Sequence, residues 1–98
     1  MMTETQEQIS KVCEDIRLLL IKKNEDYGNS FHEPINIFSR LSAKEGILIR
    51  IDDKLKRLKN LTTSEYEANF ESIQDTVRDL IGYLILLLVE TDDKKEWA

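Results

Sequence analysis

The residues best suited to chemistry in this chain are charged, and they fall into spaced sets. Glu71, Asp75 and Asp79 stand four residues apart. On a helix each step of four advances only about 40° around the axis, so these acids form one stripe roughly 12 Å long. Hard cations such as Mg²⁺ take oxygen ligands, and carboxylates at turn spacing supply two or three of them. The same stripe would also serve as a salt-bridge ladder on a solvated face. Its place favours a site, because it leads into Leu80–Val89, the most apolar stretch, where unpaired acids are costly.

A second set is Arg50, Lys54 and Arg57, at i, i+4 and i+7, with Asp53 beside them. The planar donors of Arg suit phosphate oxygens, which they bind in pairs. The competing use is ion pairing with Glu71, Asp75 and Asp79 across a helix interface, and the two uses are compatible. A third set is Lys23, Asp26, Tyr27 and Gly28, where a ring could stack on a base while a neighbouring acid bonds a ribose or a metal. Tyr83 follows Asp79 by one turn and extends the stripe. His32 is the only histidine, so a zinc site is not expected. Cys13, the only cysteine, excludes an internal disulfide and reads as a plain buried thiol.

Helices must position these groups. Ile9, Val12, Cys13, Ile16, Leu19 and Leu20 recur at the period of an amphipathic helix. That helix is expected to end near Asn24 after a frayed start over residues 1–8. Residues 24–35 read as a long functional connection, since Gly28 and Asn29 tolerate left-handed backbone and Pro34 discourages helix before it. Ile35 to Leu41 is expected to form a short helical turn, with Ile35, Phe38 and Leu41 against the core. Ser42 and Glu45 make a capping box for a second helix, whose apolar stripe is Leu48, Ile51, Leu55 and Leu58. Thr62–Thr63–Ser64 breaks it.

The third helix starts from Ser64 or from Asn69, and its Leu80–Val89 half is apolar on almost every side, which marks burial all round. Gly82 within it costs about 1 kcal/mol relative to Ala, a cost that close approach of a neighbouring helix would explain. The expected fold is all-α: a small antiparallel bundle of three main helices, a single domain over residues 1–98, with 1–8 and 91–98 loose.

With 98 residues and 41% hydrophobic content the core is modest, and pairing with further copies as a homo-oligomer would relieve it. The net charge of −5 argues against a DNA or RNA binder, yet local Arg and Lys can hold the phosphates of a small nucleotide. The apolar run is about half the length that spans a bilayer, and no secretory signal is visible, so no membrane association and a cytoplasmic location are expected.

The stretches KKNEDYGNSF, IRIDDKLKRLKNL and ESIQDTVRDLIGYLILLL, in that order, resemble the nucleotide modification associated domain 1 proteins common in phages and prophages. The resemblance runs from about Lys22 to Val89 and rests on three linked motifs. Lys23, Asp26, Tyr27, Gly28, Arg50, Asp53, Lys54, Arg57, Glu71, Asp75, Asp79 and Tyr83 match the family's motif positions. It implies nucleotide association and a phage or prophage origin, without a reaction. A more distant likeness is to the all-α pyrophosphohydrolases of the MazG and dimeric dUTPase type, which hold Mg²⁺ between acids of two helices. Their paired acids on the preceding helix are not matched, because Asp52 and Asp53 point about 100° apart.

The leading expectation is a phage-type protein that captures a nucleotide or nucleotide-derived signal, as a counter to host defence. Its ligand-binding residues would be Lys23, Asp26, Tyr27, Arg50, Asp53, Lys54, Arg57 and Tyr83, in a mixed-charge pocket between helices 2 and 3 and the Asp26–Tyr27–Gly28 loop. The alternatives are a Mg²⁺-dependent nucleoside triphosphate pyrophosphohydrolase, with metal on Glu71, Asp75 and Asp79, and a helical protein-interaction module.

Overall fold

The computed structural model describes residues 1–28, 36–63 and 67–91. Three helices account for most of them: α1 (Glu4–Tyr27), α2 (Ala43–Thr63) and α3 (Phe70–Thr91), and the described residues include no strand. Ser64, the other candidate start for the third helix, lies outside the described residues, as do His32, Pro34, Ile35 and Trp97.

α1 and α2 each begin where side chains satisfy their unpaired amides. Thr3 caps α1: its hydroxyl accepts from the Gln6 amide at 3.2 Å, and the Gln6 side chain accepts from the Thr3 amide at 2.9 Å. This capping box corrects the expectation of a frayed start over residues 1–8, because it lets helix run from Glu4. The Ser42 box opens α2 as expected, with reciprocal bonds between Ser42 and Glu45 of 3.1 Å each. α3 opens at Asn69, whose backbone carbonyl accepts from the Ile73 amide at 2.8 Å. The Asn69 side chain also donates to the Leu61 carbonyl at 3.3 Å, tying the end of α2 to the start of α3. Thr62 and Thr63 fold their hydroxyls back onto the carbonyls of Leu58, Lys59 and Asn60, which occupies the open end of α2.

α1 continues one turn past Asn24, to Tyr27, so residues 24–27 are helix and not loop. Gly28 ends it at φ +66°, a conformation that costs Gly least, and the Asn24 side-chain Nδ2 donates to the Gly28 carbonyl at 3.2 Å. Residues 36–42 are not the short helical turn expected. Asn36 sits at φ +49° and its side chain brackets Leu41, donating to the carbonyl at 2.7 Å and accepting from the amide at 3.2 Å. That Asx-type bracket competes with helix and turns Phe38 outward, fully exposed and away from the core.

α3 is the central element. Lys54 pairs with Asp79 and Arg57 reaches Thr76, so α2 and α3 run antiparallel. Lys23 pairs with Asp79 and Leu20 meets Gly82, so α1 is antiparallel to α3 as well. α1 and α2 therefore run in the same direction, and the long segment after α1 is what that requires: the chain must return the length of the bundle. Among the described residues α1 packs on α3 and not on α2.

The core is small. It comprises Ile16 of α1, Ile47 and Ile51 of α2, and Ile73, Thr76 and Gly82 of α3. Three expectations of burial are corrected here. Only Gly82 is buried between Leu80 and Val89, while Leu84, Ile85, Leu88 and Val89 are exposed. Cys13, Ile9, Val12 and Leu19 are likewise exposed, leaving Ile16 as the only buried residue of α1. Leu55 faces solvent, and the α2 stripe that meets α3 is Ile47, Ile51, Lys54 and Leu58. The reason is shared: three helices in this order leave α3 covered on two sides only and α1 covered along part of one side.

With so little tertiary cover, α1 relies on local support. Lys11–Asp15 (3.2 Å), Glu14–Arg17 (2.7 Å) and Lys22–Asp26 (2.9 Å) are pairs at three- or four-residue spacing. Such exposed pairs lie on neighbouring turns and give a helix weak local support, screened by solvent. The hydrogen bond from Arg17 holds the Glu14 carboxyl below its ordinary value and raises the guanidinium.

Candidate functional site

Among the described residues, charge from all three helices gathers at Asp79, at the half-exposed edge of the helix interfaces. Its two carboxylate oxygens meet different lysines, Lys23 Nζ from α1 at 3.6 Å and Lys54 Nζ from α2 at 3.1 Å. Lys54 occupies a position in the apolar α2 stripe, between Ile51 and Leu58, and its side chain is 26% exposed. The aliphatic stem can lie in the interface while the ammonium reaches out of it. Asp79 thus receives one cation from each neighbouring helix and is the only point at which all three helices are joined through charge among the described residues.

Beside this node is a pocket of about 220 Å³ between α1 and α3. Its apolar side is formed by Ile16, Leu20, Gly82 and Leu86, and its polar side by Lys23, Asn24, Arg78 and Asp79. Tyr27 and Tyr83 flank it, the first largely exposed and the second half-buried. Gly82 matters to its shape. A Cβ built there would lie 3.5 Å from Leu20 Cδ1, an ordinary contact, so helix 1 does come close but leaves room for a methyl. What the missing side chain preserves is the open space of the pocket.

The electrostatics follow from counting. Lys23, Lys54 and Arg78 contribute three positive charges. Asp79 offsets one, and Asp75, 3.6 Å from Arg78, offsets another. A net positive charge is left at the pocket of a chain whose formal charge is −5. A locally positive, half-enclosed site of this kind attracts small anions.

The structure brings Lys23, Tyr27, Gly28, Lys54, Asp79 and Tyr83 together and leaves the other expected residues apart. The pocket lies between α1 and α3, not between helices 2 and 3 as expected, with Lys54 reaching in from behind Asp79. Asp26 pairs with Lys22 on another side of α1. Arg50 and Asp53 are exposed on α2. Arg57 is bound up with structure: its Nε donates to the hydroxyl of buried Thr76 at 3.3 Å. That hydroxyl in turn donates to the Ser72 carbonyl at 2.7 Å.

The acidic stripe does not act as a unit. Glu71 is exposed in the first turn of α3, Asp75 pairs with Arg78, and Asp79 is shared by two lysines. Among the described residues no three His, Cys, Asp or Glu side chains are grouped to hold a metal ion. Arg78 and Asn24 are site residues that the motif reading missed. Arg78 lies three residues after Asp75 and four before Gly82, on the same α3 face, and reading that face for all charges instead of acids alone would have found it.

No helix among the described residues is long and apolar enough to cross a membrane. Residues 23–91 match the family described as nucleotide modification associated domain 1. The match begins at Lys23 and takes in both lysines of the node, Asp79 and both flanking tyrosines. No curated protein and no solved structure matches the chain.

Proposed function

This chain belongs to the nucleotide modification associated domain 1 family, and from that premise we propose that it captures a nucleotide in the pocket between α1 and α3. The observation that carries the reading is the Lys23–Asp79–Lys54 node. One carboxylate holding two ammonium groups orients both and leaves positive charge over, an arrangement suited to a phosphate at the pocket's edge. Tyr27 and Tyr83 offer ring faces on which a base can stack, a contact worth about 1–3 kcal/mol and tolerant of base identity.

Capture without turnover is the reading favoured. The carboxylate nearest the pocket, Asp79, is occupied by lysines, so its lone pairs serve positioning before they serve a metal or a water. A volume of about 220 Å³ is below the roughly 300–1,000 Å³ usual for ligand pockets, which suits partial enclosure of a mononucleotide better than a dinucleotide. Sequestering such a ligand is the role that these features support.

Isothermal titration calorimetry against mono-, di-, tri- and cyclic nucleotides, with and without Mg²⁺, tests this. Binding of at least one class is expected. Lys23→Met should weaken it by about 10- to 100-fold, the effect of losing one charge-assisted hydrogen bond. Absence of heat across the panel, or an unchanged affinity in Lys23→Met, would overturn the proposal. Release of pyrophosphate or phosphate from any of the nucleotides would replace capture by hydrolysis.

A further inference from the structure

We infer that a second copy of this chain covers α1 and the outer face of α3, so that the working unit is a two-fold dimer. The accessible surface of the chain is 8059 Å². A compact monomer of 11.5 kDa exposes about 5,800 Å², which leaves an excess of roughly 2,200 Å². Permanent homodimers bury about 1,000–2,500 Å² per partner, so the excess is of the size that one partner removes.

Part of the exposed surface lies in a pattern on the described helices. Ile81, Leu84, Ile85 and Leu88 recur at helical spacing on the side of α3 that neither α1 nor α2 covers, and the last three are between 36% and 68% exposed. On α1 the N-terminal half of the apolar stripe, Ile9 and Val12, is more than half exposed. The charge of α1 suits a second copy of itself. Residues 4–15 of α1 carry four acids and one lysine, while residues 16–27 carry three bases and two acids. Two copies of α1 laid antiparallel set the half of net charge −3 of each against the half of net charge +1 of the other and oppose their dipoles. A two-fold axis makes one patch complementary to itself in this way. The cations of the second half also pair within their own chain, with Glu14, Asp26 and Asp79.

The dimer bears on the site, because α1 supplies Lys23, Asn24 and Tyr27 to the pocket while being lightly held within its own chain. A partner fixes α1 and adds a wall beside the open pocket. This last step rests on the nucleotide reading; the dimer does not.

The test is made without nucleotide. Native mass spectrometry and light scattering of the full chain at micromolar concentration should give about 23 kDa, twice the chain mass. Ile85→Glu/Leu88→Glu and, separately, Val12→Glu should each give 11.5 kDa species with α-helical circular dichroism retained. Should the α3 variant fail to fold, the Val12→Glu result decides, since Val12 is outside the core. Hydrogen exchange provides the second readout: α1 amides should exchange at least 10-fold more slowly in concentrated than in dilute protein. A wild-type monomer at 100 µM, dimers that survive both variants, or α1 exchange independent of concentration would each overturn the inference.

Discussion

At the scale of single residues, the informative contrast is between Asp79 and Gly82, one turn apart and serving the same pocket. Asp79 is the shared counter-charge of two lysines, one of them half-buried. Asp79→Asn leaves Lys54 facing Lys23 without compensation and is expected to cost about 0.5–1 kcal/mol in urea unfolding, since both ammonium groups remain partly solvated. Lys54→Met should be close to neutral for stability, because an apolar side chain of similar length fits the α2 stripe. If the two substitutions cost the same, the node does not act as described. Gly82→Ala should do the opposite of a usual pocket mutation. The added methyl meets Leu20 at ordinary contact distance and removes a helix penalty of about 1 kcal/mol, so thermal stability rises while nucleotide affinity falls. A destabilised Gly82→Ala protein would show that helix packing, not pocket volume, requires glycine there.

Among the elements, α2 shows how local chemistry can be read ahead of structure. The Ser42–Glu45 box was legible because both bonds lie within four residues and depend on no other part of the chain. The Ser42 amide, and then its hydroxyl, hold the Glu45 carboxyl below its ordinary value of 4.5. A folded-state pKa below the unfolded one means that this stabilisation is full above the ordinary value. It is lost as pH falls through the lowered one. Ser42→Ala should therefore cost ~1 kcal/mol at neutral pH, and the difference from wild type should shrink in acid, as followed by urea unfolding at both pH values. A difference that does not narrow would show that the Glu45 carboxylate plays no part in the cap. α1 is the converse case. Its box at Thr3 and its ion pairs are equally local, yet its apolar stripe announced burial that the single chain does not provide. Periodicity reports which face of a helix is apolar, and it is silent on how much of that face is met.

For the whole molecule, the balance of covered and uncovered surface governs behaviour. A dimer of this kind gains stability by mass action, so its melting temperature should rise with protein concentration, measured by scanning calorimetry over a hundredfold range. A melting temperature that does not move would speak for the monomer. A nucleotide that binds between α1 and α3 would add to the same effect, since it engages the helix that the partner also holds.

What the sequence determined by itself was the set of elements: three helices, the Ser42–Glu45 cap of α2 and the candidacy of Lys23, Tyr27, Asp79 and Tyr83. These depend on spacing and on contacts a few residues long. The break expected at Thr62–Thr63–Ser64 came too early, since α2 runs through Thr63. The tertiary structure decided which candidates meet. Lys23, Lys54 and Asp79 are far apart in the chain, and their convergence depends on α1 and α2 both running antiparallel to α3. That same order separates Arg50, Asp53 and Glu71 from the pocket and commits Arg57 to Thr76. A charge on a helix can be placed on a face by counting, but its partner is chosen by the neighbour that packs there, and packing is a property of the whole chain.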